Sequence, residues 1–218
     1  KGWVKAFRQN RFLIINDGSA LANLQAVVDV ANFDEALIRE VTTGAGVAIS
    51  GEVVESQGAG QAVEILVEAL AVLGPAHPDD VQETILQPKR HSLEVLREQA
   101  HLRFRTNLFG AVFRIRHALA FAVHQYFNDR GYFYLHTPII TGSDAEGAGE
   151  MFRVTTLPFD QTPRDADGTV DYGEDFFGRE TSLTVSGQLE AEMGALALGQ
   201  VYTFGPTFRA ENSNTSRH

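Results

Sequence analysis

"GWVKAFRQNRFLIIN" (residues 2–16) holds two short runs, "GWVKAF" and "RFLIIN", each rich in aromatic and β-branched residues. That composition is the signature of β-strands. The turn-forming "NDGS" (residues 16–19) closes the second run, and "LQAVVDV" supplies a third. Residues 33–41 then read as a short helix. Two longer runs follow, "GVAISGEVVES" and "QAVEILVEALAVL", on either side of the hairpin turn "QGAG" (residues 57–60).

Five strands with one helix after the third match a small Greek-key β-barrel of the OB type, with another small barrel or sandwich as the alternative. The barrel is expected over residues 1–75. "GPAHPDD" (residues 74–80) is punctuated by Pro and Gly and marks a domain boundary. Residues 76–105 read as a hinge, basic from residue 86 and helical in its middle.

Beyond it, Leu108, Ala111, Val112, Ile115, Leu119, Ala122, Val123 and Tyr126 recur at helical spacing. Thr106 or Asn107 caps this helix and Gly131 stops it. "YFYLHTPII" is then a strand running into Pro138, "FRVTTL" another, and residues 158–180 a mobile polar excursion. "LTVSGQLEAEMGALAL" joins strand to helix, and "QVYTFGPTFRAE" reads as a buried strand. Residues 106–218 form an α+β domain.

The 218 residues are enough for one or two domains with a real core. The absence of cysteine excludes disulfides, thiolate catalysis and Cys-based zinc sites. No apolar run reaches 18 residues and no leader is visible, so the expectation is a cytoplasmic protein with no membrane partner. The net charge of −10 is unevenly spread: residues 52–85 hold seven acids and no Lys or Arg, whereas residues 86–130 hold eight Lys/Arg and three acids. With Lys1, Lys5, Arg8 and Arg11, two basic zones can meet phosphates on an otherwise acidic protein.

The final "PTFRAENSNTSRH" (residues 206–218) carries the chemistry. Strand alternation over residues 201–211 would put Arg209 and Glu211 on one face. Such a pair is commonly a surface ion pair worth a few tenths of a kcal/mol. Here it precedes a loop of amides and hydroxyls closed by Arg217 and His218, and an arginine on a stiff strand suits bidentate phosphate contact.

"FRAENSNTSRH" resembles motif 2 of class II aminoacyl-tRNA synthetases of the asparaginyl type. "GYFYLHTPIITGSDAEGAGEMF" (residues 131–152) is similar to motif 1 and the amino-acid-binding loop after it. "LTVSGQLEAE" (residues 183–192) looks like the strand and helix under the substrate, and the barrel resembles the anticodon-binding domain. The likeness runs end to end. It implies an antiparallel-sheet catalytic domain, ATP with Mg²⁺ as cofactors, and asparagine and tRNA(Asn) as partners. It also implies a homodimer through motif 1, with Pro138 and the apolar face of helix 108–127 at the interface.

Residue by residue, the resemblance makes Arg209 the catalytic arginine between the ATP α-phosphate and the amino-acid carboxylate. Glu211 faces the adenine or the tRNA 3′ end, and Arg217 and His218 approach the γ-phosphate. Glu146 and Gln188 hold the substrate α-ammonium, beside Ser186, with Gly147 and Gly149 closing backbone over the ligand; Glu190 is a candidate reader of the amide. Aspartyl relatives carry a lysine where Gln188 is followed by Leu189, Glu190 and Ala191, and its absence favours a carboxamide substrate. For tRNA, the likeness points to Arg8 and Gln25 on the anticodon and Asn212 and Asn214 at the acceptor stem. Lys5 and Arg11 supply charge. A family phenylalanine that stacks on a base corresponds to Ile14, so Phe7 or Phe12 is the alternative stacking residue; Trp3 reads as core.

Adenylate formation needs positioning and phosphoryl charge stabilisation and no covalent enzyme intermediate, so the lack of a thiol is no obstacle. The family's third motif and its Mg²⁺ ligands do not occur here. The expectation is therefore an incomplete catalytic domain, and a 218-residue polypeptide that does not by itself form asparaginyl-adenylate. A tRNA-anticodon-binding module alone, or an aspartyl-type synthetase or paralogue, are the alternatives.

Overall fold

The computed structural model describes residues 1–58, 60–79, 86–143, 147 and 150–211. The chain divides into two compact units, Lys1–Ala118 and Leu119–His218.

In the first unit, β1 (Gly2–Arg8), β2 (Phe12–Asn16), β3 (Leu24–Val27), β4 (Gly46–Glu55) and β5 (Val63–Gly74) close a barrel in the order β1-β2-β3-β5-β4. The short helix α1 (Glu35–Arg39) follows β3, capped by the Asp34 carboxylate on the Ala36 N–H. β3 and β5 pair in parallel, Ala26 against Ile65, and the other neighbours are antiparallel. This is the OB arrangement. Val4, Leu13, Ile15, Ala26, Val28 and Val47 fill the interior, and all are essentially inaccessible. The period-2 alternation of β2 sends Leu13 and Ile15 inward, which leaves Phe12 and Ile14 on the outer face beside Gln25.

The β1–β2 turn is tighter than its residues favour. Gln9 and Asn10 both adopt left-handed φ, 54° and 48°, with Arg11 N–H bonded to Arg8 C=O at 3.0 Å. A two-residue turn of that hand matches the strand twist. Of the sequence-predicted turn at residues 57–60, Ala59 lies outside the described residues.

The hinge contains α2 (Leu93–Glu98), capped by Ser92 Oγ on the Val95 N–H. The long helix α3 (Asn107–Asn128) starts where Thr106 Oγ accepts from the Phe109 N–H, and Gly131 at φ +78° ends the segment as predicted. Its apolar stripe lies at the surface. Leu108, Val112, Ile115 and Leu119 are exposed, and among its described residues Gly110 alone is buried.

In the second unit, β6 (Phe133–Leu135) pairs in parallel with β10 (Val201–Thr203), while β7 (Ile140–Thr141), β9 (Thr181–Leu183) and β8 (Arg153–Val154) form a three-stranded antiparallel sheet in the order β7-β9-β8. The parallel pair adds to the antiparallel plan that the sequence suggested. α4 (Gln188–Leu198) packs on β6 at Gly194, where an added Cβ would lie 2.2 Å from Leu135 Cδ1.

One expectation is corrected. The strand expected over residues 201–211 stops at Thr203, because Gly205 and Pro206 interrupt it and proline has no N–H for a ladder. The excursion at 158–180 carries several local hydrogen bonds. Arg164 bridges to Val170, Asp171 caps a 3₁₀ turn (Tyr172–Glu174), and Asp175 is buried.

Candidate functional site

Two places in the chain gather the predicted residues, one in each unit.

On the barrel, Gln25 lies opposite Ile14 on the outer face and its Nε2 donates to Glu64 Oε2 at 2.9 Å. The same carboxylate oxygen accepts from Ser56 Oγ at 3.1 Å and Gln61 Nε2 at 3.4 Å. Glu64 thus holds the Gln25 amide with its nitrogen inward on the carboxylate and its carbonyl oxygen free of these bonds. An amide so oriented presents one acceptor to a base edge. Arg8 stands exposed at the end of β1, opposite Phe12.

The two stacking candidates separate cleanly. Phe7 packs against the barrel core, so its ring is engaged, whereas Phe12 sits on the outer face with the Arg11 guanidinium 5.7 Å from its centroid. Lys5 does not reach this face: its Nζ donates to the Arg105 carbonyl in the hinge at 3.1 Å. Burial, with the charge of Arg105, holds its ammonium below the usual lysine range. Trp3 is only half-buried and is not part of the core; Arg105 lies 5.3 Å over its ring.

In the second unit, the sheet ends in a turn into α4. Thr184 and Val185 are buried, Thr184 Oγ1 donates to the Ser186 carbonyl at 2.6 Å, and Ser186 Oγ accepts from the Gln188 N–H at 3.1 Å. Gly187 is buried at the bend. A Cβ there would sit 2.6 Å from Thr137 Oγ1, so only glycine allows this approach. The Gln188 side chain runs along α4 and donates to Glu192 at 2.9 Å, and Glu190 is half-buried in the first turn.

Arg209 is fixed by its neighbours. The Phe208 N–H donates to the Thr184 carbonyl at 2.9 Å and the Ala210 N–H to the Glu150 carbonyl at 2.7 Å. The segment therefore lies alongside the turn that carries Ser186 and Gln188, although no regular strand continues there. Arg209 is exposed, and among the described residues it forms no ion pair with Glu211 or any other acid. An exposed guanidinium on a segment whose flanking backbone is hydrogen-bonded, with no counter-ion among the described residues, is available to an anion. Glu146, Asn212, Asn214, Arg217 and His218 lie outside the described residues, as do Ala148 and Gly149; Gly147 is described, with φ +67°.

Elsewhere in the second unit lies an anchor that the sequence did not signal. Asp175 accepts from the Thr156 N–H at 2.9 Å, Thr156 Oγ1 at 2.8 Å and the Phe176 N–H at 2.7 Å. Those donors hold its carboxyl far below the usual carboxylate range. Nearby, Arg153 pairs with Glu180 and donates to Tyr172 Oη at 3.0 Å. Glu64 was equally silent: it is 39 residues from Gln25, and only the β3–β5 pairing joins them. Among the described residues no group of three or more His, Cys, Asp or Glu converges to hold a metal ion.

Residues 92–218 match the model for class II tRNA synthetases (D, K and N), and residues 1–73 match that for the OB-fold nucleic-acid-binding domain. The chain belongs to the class II tRNA synthetases of the D, K and N group. Among curated relatives, the asparagine–tRNA ligase of Cytophaga hutchinsonii is 59% identical over 221 residues, covering 100% of this chain and 47% of the relative. That of Porphyromonas gingivalis is 58% identical, covering 100% of this chain and 46% of the relative. The Nitratidesulfovibrio vulgaris ligase is 60% identical, with 100% and 47% covered. The chain thus spans about half the length of the relatives it matches.

Among solved structures, asparaginyl-tRNA synthetase from Pyrococcus horikoshii, complexed with asparaginyl-adenylate, superposes with a TM-score of 0.77 at 26% identity, over 100% of this chain and 46% of that one. The Entamoeba histolytica asparaginyl-tRNA synthetase shares the fold, with a TM-score of 0.76 at 21% identity over 100% and 46%.

Proposed function

We propose that the chain serves asparagine–tRNA ligation in the cytoplasm: ATP-dependent conversion of asparagine to asparaginyl-adenylate, then transfer to tRNA(Asn). In this reading residues 1–75 bind the anticodon, residues 76–105 are a hinge, and residues 106–218 carry motifs 1 and 2 of the catalytic domain. The observation that carries the reading is the exposed Arg209, without an ion pair among the described residues, beside the Ser186–Gln188 turn, in a chain 58–60% identical to three asparagine–tRNA ligases.

As the asparagine carboxylate attacks the α-phosphorus, negative charge builds on the α-phosphoryl oxygens and pyrophosphate leaves. Arg209, held on rigid backbone, neutralises that charge at no cost in reorganisation. Ser186 and Gln188 orient the amino acid, together with Glu146. The carboxamide of asparagine needs no cationic reader, consistent with the lysine-free start of α4. Mg²⁺ would screen the phosphates. The exposed stripe of α3 is the face offered to a second copy in a homodimer.

The test has two arms. The 218-residue chain should bind a tRNA(Asn) transcript with a GUU anticodon at least tenfold more tightly than one with the anticodon permuted. In a full-length polypeptide carrying this sequence, Arg209→Ala should lower asparagine-dependent ATP–pyrophosphate exchange by about 10²–10³-fold. Equal binding of both transcripts, or unaltered exchange, defeats the proposal.

A further inference from the structure

A cavity of about 1060 Å³ lies between the barrel and the hinge, wholly within the first unit. Lys5, Arg8, Lys89, Arg90, His91 and Arg105 all line it, and none of its described lining residues is an aspartate or glutamate. In a chain of net charge −10, that is a strong local excess of positive charge. Lys5 and Arg105 come from sequence positions 100 residues apart, and the Lys5 ammonium is tied to the Arg105 backbone at 3.1 Å. Lys5 is half-buried and Arg105 exposed beside it, and an anion shared by the two would offset their repulsion.

Apart from Asn23, Thr43, Gln87, Ser92, Thr106 and Asn107, the remaining lining is apolar. Leu86, Leu102 and Leu108 contribute to it, and Trp3 lies in the wall with Arg105 over its ring. The Trp3 indole N–H is buried without a protein partner. An apolar surface with a few converging charges is the make-up of a small-molecule site, and the volume is that of a nucleotide-sized ligand.

We infer that this cleft binds a free organic phosphate of mononucleotide size, its phosphates held by Lys5, Arg105, Lys89 and Arg90 and its ring against Trp3 and the leucines. The site lies in the barrel unit and is distinct from the Arg209 site, so either can fail without the other.

Trp3 is the only tryptophan in the chain, so its emission reports occupancy directly. ADP titrated into the 218-residue chain should change that emission saturably, and inorganic pyrophosphate should compete. The Lys5→Met/Arg105→Met pair should weaken ADP at least tenfold, with calorimetry as the readout because loss of Arg105 alters the emission baseline. Lys89→Glu/Arg90→Glu, on exposed residues outside the barrel core, should do the same with the melting temperature unchanged, and Arg209→Ala should leave ADP binding intact. The inference is overturned by any of four results. These are no saturable ADP response, no competition by pyrophosphate at hundredfold excess, a response to hexauridylate RNA but not to ADP, or loss of the response in Arg209→Ala with the cleft variants unaffected.

Discussion

Glu64→Ala is the change that most sharply tests the proposed reading of an anticodon by the barrel. Glu64 accepts three side-chain hydrogen bonds, from Gln25 at 2.9 Å, Ser56 at 3.1 Å and Gln61 at 3.4 Å. Removing it frees the Gln25 amide to rotate. Re-ordering a glutamine on RNA binding costs up to about 1.5 kcal/mol. The lost bond to a charged acceptor, discounted because the site is half exposed, adds at most about 1 kcal/mol. The expected loss of base discrimination is therefore about 1–2 kcal/mol, or roughly five- to thirtyfold.

Glu64→Ala also removes a negative charge from a nucleic-acid face, which strengthens binding to any RNA. The quantity to measure is therefore a ratio: affinity for an anticodon stem-loop bearing GUU over that for a permuted loop, at one fixed salt. The ratio should fall while absolute affinity for the permuted loop rises. Gln25→Ala and the double variant complete a cycle, and a coupling above about 0.5 kcal/mol is expected. Neither residue belongs to the barrel core, so the melting temperature should hold. If Gln25→Ala lowers the ratio and Glu64→Ala leaves it within twofold, the orienting role assigned to Glu64 is wrong.

Two further outcomes concern stability. At Gly51 in β4 an added Cβ would stand 1.8 Å from the Leu66 carbonyl oxygen, so Gly51→Ala must push β4 off β5 and should cost about 2–4 kcal/mol. Gly60→Ala has open space but φ +100°, and should cost only about 1 kcal/mol; equal urea midpoints for the two variants would contradict the steric account. Asp175 has a folded pKa below its unfolded one, so its contribution is complete above the ordinary aspartate range and is lost as pH falls below about 4. Protease cleavage within residues 158–180 should accordingly rise severalfold at low pH, and in Asp175→Asn already at neutral pH; an unchanged cleavage pattern in that variant would remove Asp175 as the anchor of this segment.

Local chemistry made much of this molecule readable in one dimension. The barrel was legible because period-2 alternation, as in Phe12–Leu13–Ile14–Ile15, encodes which side chains face inward, and strand order follows from short connections. Helix α3 was legible from its spacing, its Thr106 cap and Gly131. The resemblance to motif 2 singled out Arg209 as a candidate through the residues beside it. Tertiary structure alone decided the rest. Periodicity marks a face as apolar and cannot say what covers it: the stripe of Leu108, Val112, Ile115 and Leu119 stands exposed. Nor can it say where pairing ends: Gly205 and Pro206 cut short a strand that alternation extended to residue 211, and two backbone bonds, to Thr184 and Glu150, hold Arg209 instead. Glu64 orienting Gln25, Asp175 gathering its three donors and Arg105 arriving over Trp3 depend on contacts between distant positions. Such contacts arise from the folding of the backbone in space, which no local pattern of residues encodes.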